Sequence, residues 1–194
     1  AATLALAGDH LDRYAQHTVV RVPAELDDAA LSSMLGVLVE RHAALRVRLD
    51  GDALEFPPAE PAAVPIHSGS DHDLVLKRLL DLLDPRAGRV LAAGRPEADR
   101  LILAIHHLAI DAVSWRVLLA DLAALFEDRV LPPLAATSWR AHLQALDARP
   151  PVPELPPVED LGAALAPSSR DTVGGALRAT VLFDAETSAA VLRG

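Results

Sequence analysis

The pattern of this chain predicts an α/β fold (an α+β sandwich): a mixed sheet with helices packed on it. Three observations predict it. Short β-branched or apolar runs alternate with stretches whose apolar residues recur at helical spacing. One run, RLILAIHH (100–107), is apolar on both faces, as a central strand is. Pro23, Asp50-Gly51-Asp52 and Asp84-Pro85 punctuate the boundaries between runs.

The elements follow in order. HTVVRV (17–22) is short and β-branched, a strand that Pro23 ends. Asp27 and Asp28 stand where a helix N-cap belongs, and Leu31, Met34, Leu35, Leu38 and Val39 give one apolar helix face from about 28 to 41. ALRVRLDG (44–51) alternates Leu45, Val47 and Leu49 against Arg46 and Arg48, which predicts a strand. Asp50-Gly51-Asp52 then turns it into ALEF (53–56). Residues 57–70 hold four prolines and no period, and read as a loop. Leu76, Leu79, Leu80 and Leu83 form the next helix face, stopped at Asp84-Pro85. GRVLAAG (88–94) and RLILAIHH (100–107) are two strands joined by a polar loop. A long helix over 113–128 buries Trp115, Leu118, Leu119, Leu122, Leu125 and Phe126. Thr137-Ser138 caps a short helix over 138–147. From Pro150 to Gly175 there are six prolines and no period, so the segment 150–175 is expected to link or cross. ALRATVLF (176–183) is a last strand, and Asp184 caps a final helix. No internal repeat and no Gly-rich phosphate loop is present.

Composition narrows the function. The chain has 194 residues, enough for one domain or one and a fraction. Its formal net charge of −9 argues against binding nucleic acid or an anionic membrane surface. With no cysteine, a disulfide framework, a thiolate nucleophile and a Cys-bound zinc are excluded. Charge interrupts every apolar stretch before it could span a bilayer, and AATLALAGDH (1–10) lacks the basic start of a signal peptide. The expected compartment is the cytoplasm. A start at Ala suggests a chain cut from a longer one.

The stretch HHLAIDAVSWRVLLADL (106–122) carries the chemistry. Two histidines end a buried strand, and a helix follows at once. Such strand ends fix side chains while leaving them open to a cleft. On the period of two, His107 shares a face with Leu101, Leu103 and Ile105, and His106 with Ile102 and Ala104, so the two imidazoles point to opposite sides. Taken alone, a buried His at a strand end is more often a structural group than a base. Asp111 reads equally as the cap of the following helix, and Ser114 as a capping or exposed residue. Trp115 reads as core. His106, His107 and Asp111 converge poorly for a metal, and none is expected.

As a whole the stretch is more specific. It resembles the His-His-x-x-x-Asp signature of the condensation-type domains of nonribosomal peptide synthetases. The continuation Ala112-Val113-Ser114-Trp115-Arg116-Val117-Leu118 looks like the epimerization branch of that superfamily. RHAALRVRL (41–49) is similar to the family's Arg-His-x-x-Leu-Arg segment, and DRYAQHTVVRVPAELDDAAL (12–31) to its opening strand and helix. LDPRAGRVLAAG (83–94) and TSWRAHLQAL (137–146) fit in order.

The resemblance implies a chloramphenicol acetyltransferase-like lobe. It divides the chain into an amino-terminal lobe (1–149), a crossing segment (150–175) and the start of a second lobe (176–194). It also implies epimerization of an aminoacyl or peptidyl thioester on the phosphopantetheine arm of a peptidyl carrier protein. No cofactor is bound directly, and the carboxy-terminal lobe is a partner. His107 becomes the acid/base, and an imidazole with an ordinary pKa of about 6.5 suits that task. Asp111 is expected to pair with Arg46 and so fix the turn that carries His107, with His106 in support. The alternatives are a condensation domain forming peptide bonds and a non-catalytic docking lobe. One lobe by itself lacks half the tunnel and is expected not to epimerize.

Overall fold

A computed structural model describes residues 14–133, 141, 144–146, 148, 182 and 184–193. The chain divides into two compact units, Ala1–Pro151 and Val152–Gly194. In the first, β1 (Ala15–Arg21) leads to α1 (Asp28–Arg41), a 3-10 turn (Ala43–Arg46), β2 (Arg48–Asp50) and β3 (Ala53–Glu55). Then come β4 (Ile66–Ser68), α2 (His72–Leu82), β5 (Leu91–Glu97), β6 (Arg100–His106) and α3 (Ala112–Phe126). The second unit contains α4 (Ala185–Arg193), capped by Asp184, which accepts from the Thr187 N–H at 2.7 Å.

Four strands form one mixed sheet in the order β1-β6-β5-β4. β6 lies between two antiparallel neighbours, as its two apolar faces predict, and β4 joins β5 in parallel. β2 and β3 form a separate hairpin. Gly51 turns it at φ 55°, a backbone conformation that glycine adopts without strain.

The residues of β6 sort between two cores by parity. Leu101, Leu103 and Ile105 pack with Leu31, Leu35 and Leu38 of α1 and Leu118 and Leu122 of α3. Ile102 and Ala104 pack with Val75, Leu79 and Leu83 at α2, on the other face. Gly36 of α1 lets the chain at Ala62 come so close that a Cβ there would sit 1.9 Å from the Ala62 carbonyl oxygen.

Three expectations are corrected. The strand expected over 44–51 begins only at Arg48, because residues 43–46 wind into a 3-10 turn in which the Leu45 N–H bonds the His42 carbonyl at 2.9 Å. The loop expected over 57–70 contains β4, a short edge strand held to β5 by its backbone rather than by an apolar pattern. The strand expected over 88–94 is shifted, running from Leu91 to Glu97. The linker expected over 150–175 lies outside the described residues. So do most of the helix expected over 138–147 and most of the strand expected over 176–183. No described helix is long and apolar enough to cross a membrane.

Candidate functional site

His107 follows the last residue of β6, where the sheet gives way to the loop into α3. Its backbone N–H donates to the Tyr14 carbonyl at 2.7 Å, which ties it to the chain just before β1. The half-buried ring stacks on Tyr14, with centroids 4.6 Å apart and planes 20° from parallel. Nδ1 lies 2.8 Å from the Ile110 carbonyl oxygen, and Nε2 lies 3.0 Å from the side-chain amide nitrogen of Gln16. Beside the ring is a recess of about 120 Å³, whose walls include Ala44, Ala109, Ile110 and Ser114. A second recess of about 160 Å³ shares those four residues and reaches His42.

His106 is different in kind. Its side chain is fully buried. Its backbone N–H donates to the Val90 carbonyl at 2.8 Å, and its ring Nδ1 accepts from the Leu108 N–H at 3.2 Å. It therefore shapes the turn from within.

Asp111 and Arg46 do not meet, which corrects the expected pair. Asp111 is exposed and caps α3, accepting from the Ser114 N–H at 2.6 Å. The Ser114 hydroxyl and that N–H hold its carboxyl below the usual range. Arg46, one short turn past α1, is within reach of that helix's last carbonyls. Its guanidinium donates to Val39 O at 2.7 Å, Glu40 O at 2.6 Å and Pro57 O at 3.1 Å. The Val39 and Glu40 carbonyls lie in the last turn of that helix, where carbonyls lack intrahelical partners and a cation at the negative end of the helix dipole is favourable.

The buried ionic contact involves other residues. Asp121 of α3 accepts on Oδ2 from Arg41 Nε at 2.7 Å and from His42 Nε2 at 2.9 Å. Burial, the largest influence, lowers the His42 pKa despite its acidic partner. The neutral ring can still donate from Nε2, while Arg41 balances the charge.

Trp115 is half-buried, and its indole N–H donates to Gln16 Oε1 at 2.9 Å. Sequence reasoning missed Gln16. It lies within the stretch 12–31 that resembles the family's opening strand and helix, but nothing there marks it, and it is 91 residues from His107; the pairing of β1 with β6 brings them together. Among the described residues, no three His, Asp or Glu side chains gather as a metal site.

This architecture matches the chloramphenicol acetyltransferase-like fold of condensation-type domains. The epimerization domain from the third module of tyrocidine synthetase B superposes with a TM-score of 0.57 at 19% identity, covering 70% of this chain and 36% of that one. The X-domain from teicoplanin biosynthesis gives 0.57 at 22% identity, covering 74% and 36%. In sequence, the chain is 34% identical over 134 residues to nonribosomal peptide synthetase 5 of Gibberella zeae, a match that covers 60% of this chain. It spans about 1% of the length of that synthetase. No protein-family model matches the chain. The chain is homologous to segments of nonribosomal peptide synthetases, and its fold is that of the condensation-type domains.

Proposed function

We propose that the chain is the histidine-bearing lobe of an epimerization domain, acting on an L-aminoacyl or peptidyl thioester that a peptidyl carrier protein presents on its phosphopantetheine arm. The thioester carbonyl acidifies the Cα proton. His107 Nε2 takes that proton, the C–H electron pair passes into the enolate, and a proton returns to the opposite face to give the D form. A second group, supplied by the carboxy-terminal lobe, completes the exchange. The observation that carries this reading is His107 itself. Its Nδ1 is engaged by a carbonyl, its Nε2 meets the Gln16 side-chain amide at 3.0 Å and holds the remaining lone pair, and a recess opens beside the ring. The epimerization-like run from Val113 to Leu118 supports the isomerase over the condensation alternative.

The test uses the synthetase module bearing this segment, with its carrier protein loaded with an L-aminoacyl thioester in D2O. Inversion at Cα and uptake of deuterium there are expected. His107→Ala should lower both by about 10²- to 10⁴-fold, the usual contribution of a positioned acid/base. Peptide-bond formation without inversion would establish the condensation reading instead. Tight carrier binding with neither reaction would establish a docking lobe. Undiminished inversion in the variant would remove His107 from the mechanism.

A further inference from the structure

Gln16 is distant in sequence from His107 and Trp115, and the three converge on one face of the sheet. Gln16 of β1 is paired with Ile105 of β6, and His107, two residues further on, is its diagonal neighbour on that face. Trp115, in the first turn of α3, reaches the same place.

The donors and acceptors of this group admit one arrangement. An indole nitrogen only donates. Its bond to Gln16 Oε1 at 2.9 Å therefore fixes which end of the amide is oxygen. The amide nitrogen, which cannot accept, is left 3.0 Å from His107 Nε2. That contact is a hydrogen bond when Nε2 carries its lone pair. On the other side of the ring, Nδ1 needs a proton to bond the Ile110 carbonyl at 2.8 Å. Both ends agree on one neutral tautomer. A ring protonated at both nitrogens would set N–H against N–H at Gln16, and Gln16 cannot turn its oxygen inward without breaking its bond to Trp115.

We infer that Gln16, anchored by Trp115, is the positioning residue that sets the tautomer of the neutral His107 ring, with its proton on Nδ1 and its lone pair on Nε2. The same amide lies along that lone pair. For Nε2 to take up a proton, that amide contact has to give way. The chemical meaning of this pair rests on the proposed epimerization; the tautomer does not.

The test begins with the chain itself, labelled with 15N-histidine and studied by NMR at about pH 8, where an ordinary imidazole is neutral. His107→Asn assigns the signals. In the parent chain the His107 ring should carry its proton on Nδ1 alone, and a proton on Nε2 would overturn the inference without any variant. Gln16→Glu offers a carboxylate that can accept from both Trp115 and Nε2, so the ring should become doubly protonated at the same pH. Trp115→Phe frees the amide to turn, and the ring should show both tautomers. Folded variants with the parent's ring signals would overturn the role of the pair.

In the carrier-loaded assay, Gln16→Glu should lower kcat about 10²-fold with KM little changed. A doubly protonated ring with undiminished kcat would overturn the catalytic meaning. If the parent ring is as described but the parent module does not invert Cα, the epimerization reading fails and the tautomer lock stands. If the parent inverts while its ring carries the proton on Nε2, the lock fails and the reading stands.

Discussion

Asp111 and Asp121 belong to one helix and meet different surroundings. Asp111 stands in water ahead of the first turn of α3 and bonds a backbone N–H three residues on. Asp121 is 3% exposed and takes two cationic or polar partners from the end of α1, 79 and 80 residues away. One carboxylate starts a helix; the other joins two. Arg41 extends the second contact by donating also to the Pro132 carbonyl beyond α3. A cap is a local device that any N-terminal Asp can supply. A buried carboxylate stabilises a fold only where the packing of distant elements also buries its partners.

This contrast can be broken in three ways. The largest effect is expected from Asp121→Ala, which leaves the half-buried Arg41 and His42 without their shared carboxylate. The loss should be about 3 kcal/mol in denaturant unfolding, at the lower end for a broken buried pair because both partners keep some contact with water. A loss near that of an exposed cap would mean the contact is no clasp.

A smaller effect should appear with pH. The His42 pKa is lowered in the folded chain, mainly by burial. Between that lowered value and about 6.5 the unfolded chain binds more protons than the folded one. The His42 contribution is therefore fully present above about pH 6.5 and declines as the pH falls through that window. Melting temperatures followed from neutral to mildly acid pH should drop less steeply in His42→Asn, which can still donate to Asp121. Parallel curves would show that His42 is not the group being titrated.

Asp111→Ala should cost least, about 1 kcal/mol, as the loss of a helix cap does. Combined with Arg46→Ala, its effect should add within about 0.5 kcal/mol, since the two side chains share no partner. A larger coupling energy in that double-mutant cycle would restore the direct pair.

The legible parts of the chain were those with local causes. Residues 28–41 show a cap and an apolar stripe, and α1 occupies them. RLILAIHH shows apolar residues on both faces, and β6 is central. Asp111 as a helix cap was visible in its own neighbourhood, whereas its pairing with Arg46 came from family resemblance and is absent. The 3-10 turn was hidden because Leu45, Val47 and Leu49 mimic a strand's alternation. β4 was hidden because an edge strand of three residues in a Pro-rich stretch relies on backbone pairing. His107 stood out as one of two histidines at a strand end. Gln16 did not, because its meaning depends on a strand register that no local pattern encodes.

That register also bears on how the molecule folds. β5 and β6 are near neighbours along the chain and can zip as a hairpin early, whereas β1 must close a loop of most of the first unit before it meets β6. Closing such a loop costs entropy before any contact repays it, and topologies that depend on it fold slowly. The imidazole and its amide neighbour are separated by that closure, and they meet only when β1 has paired with β6.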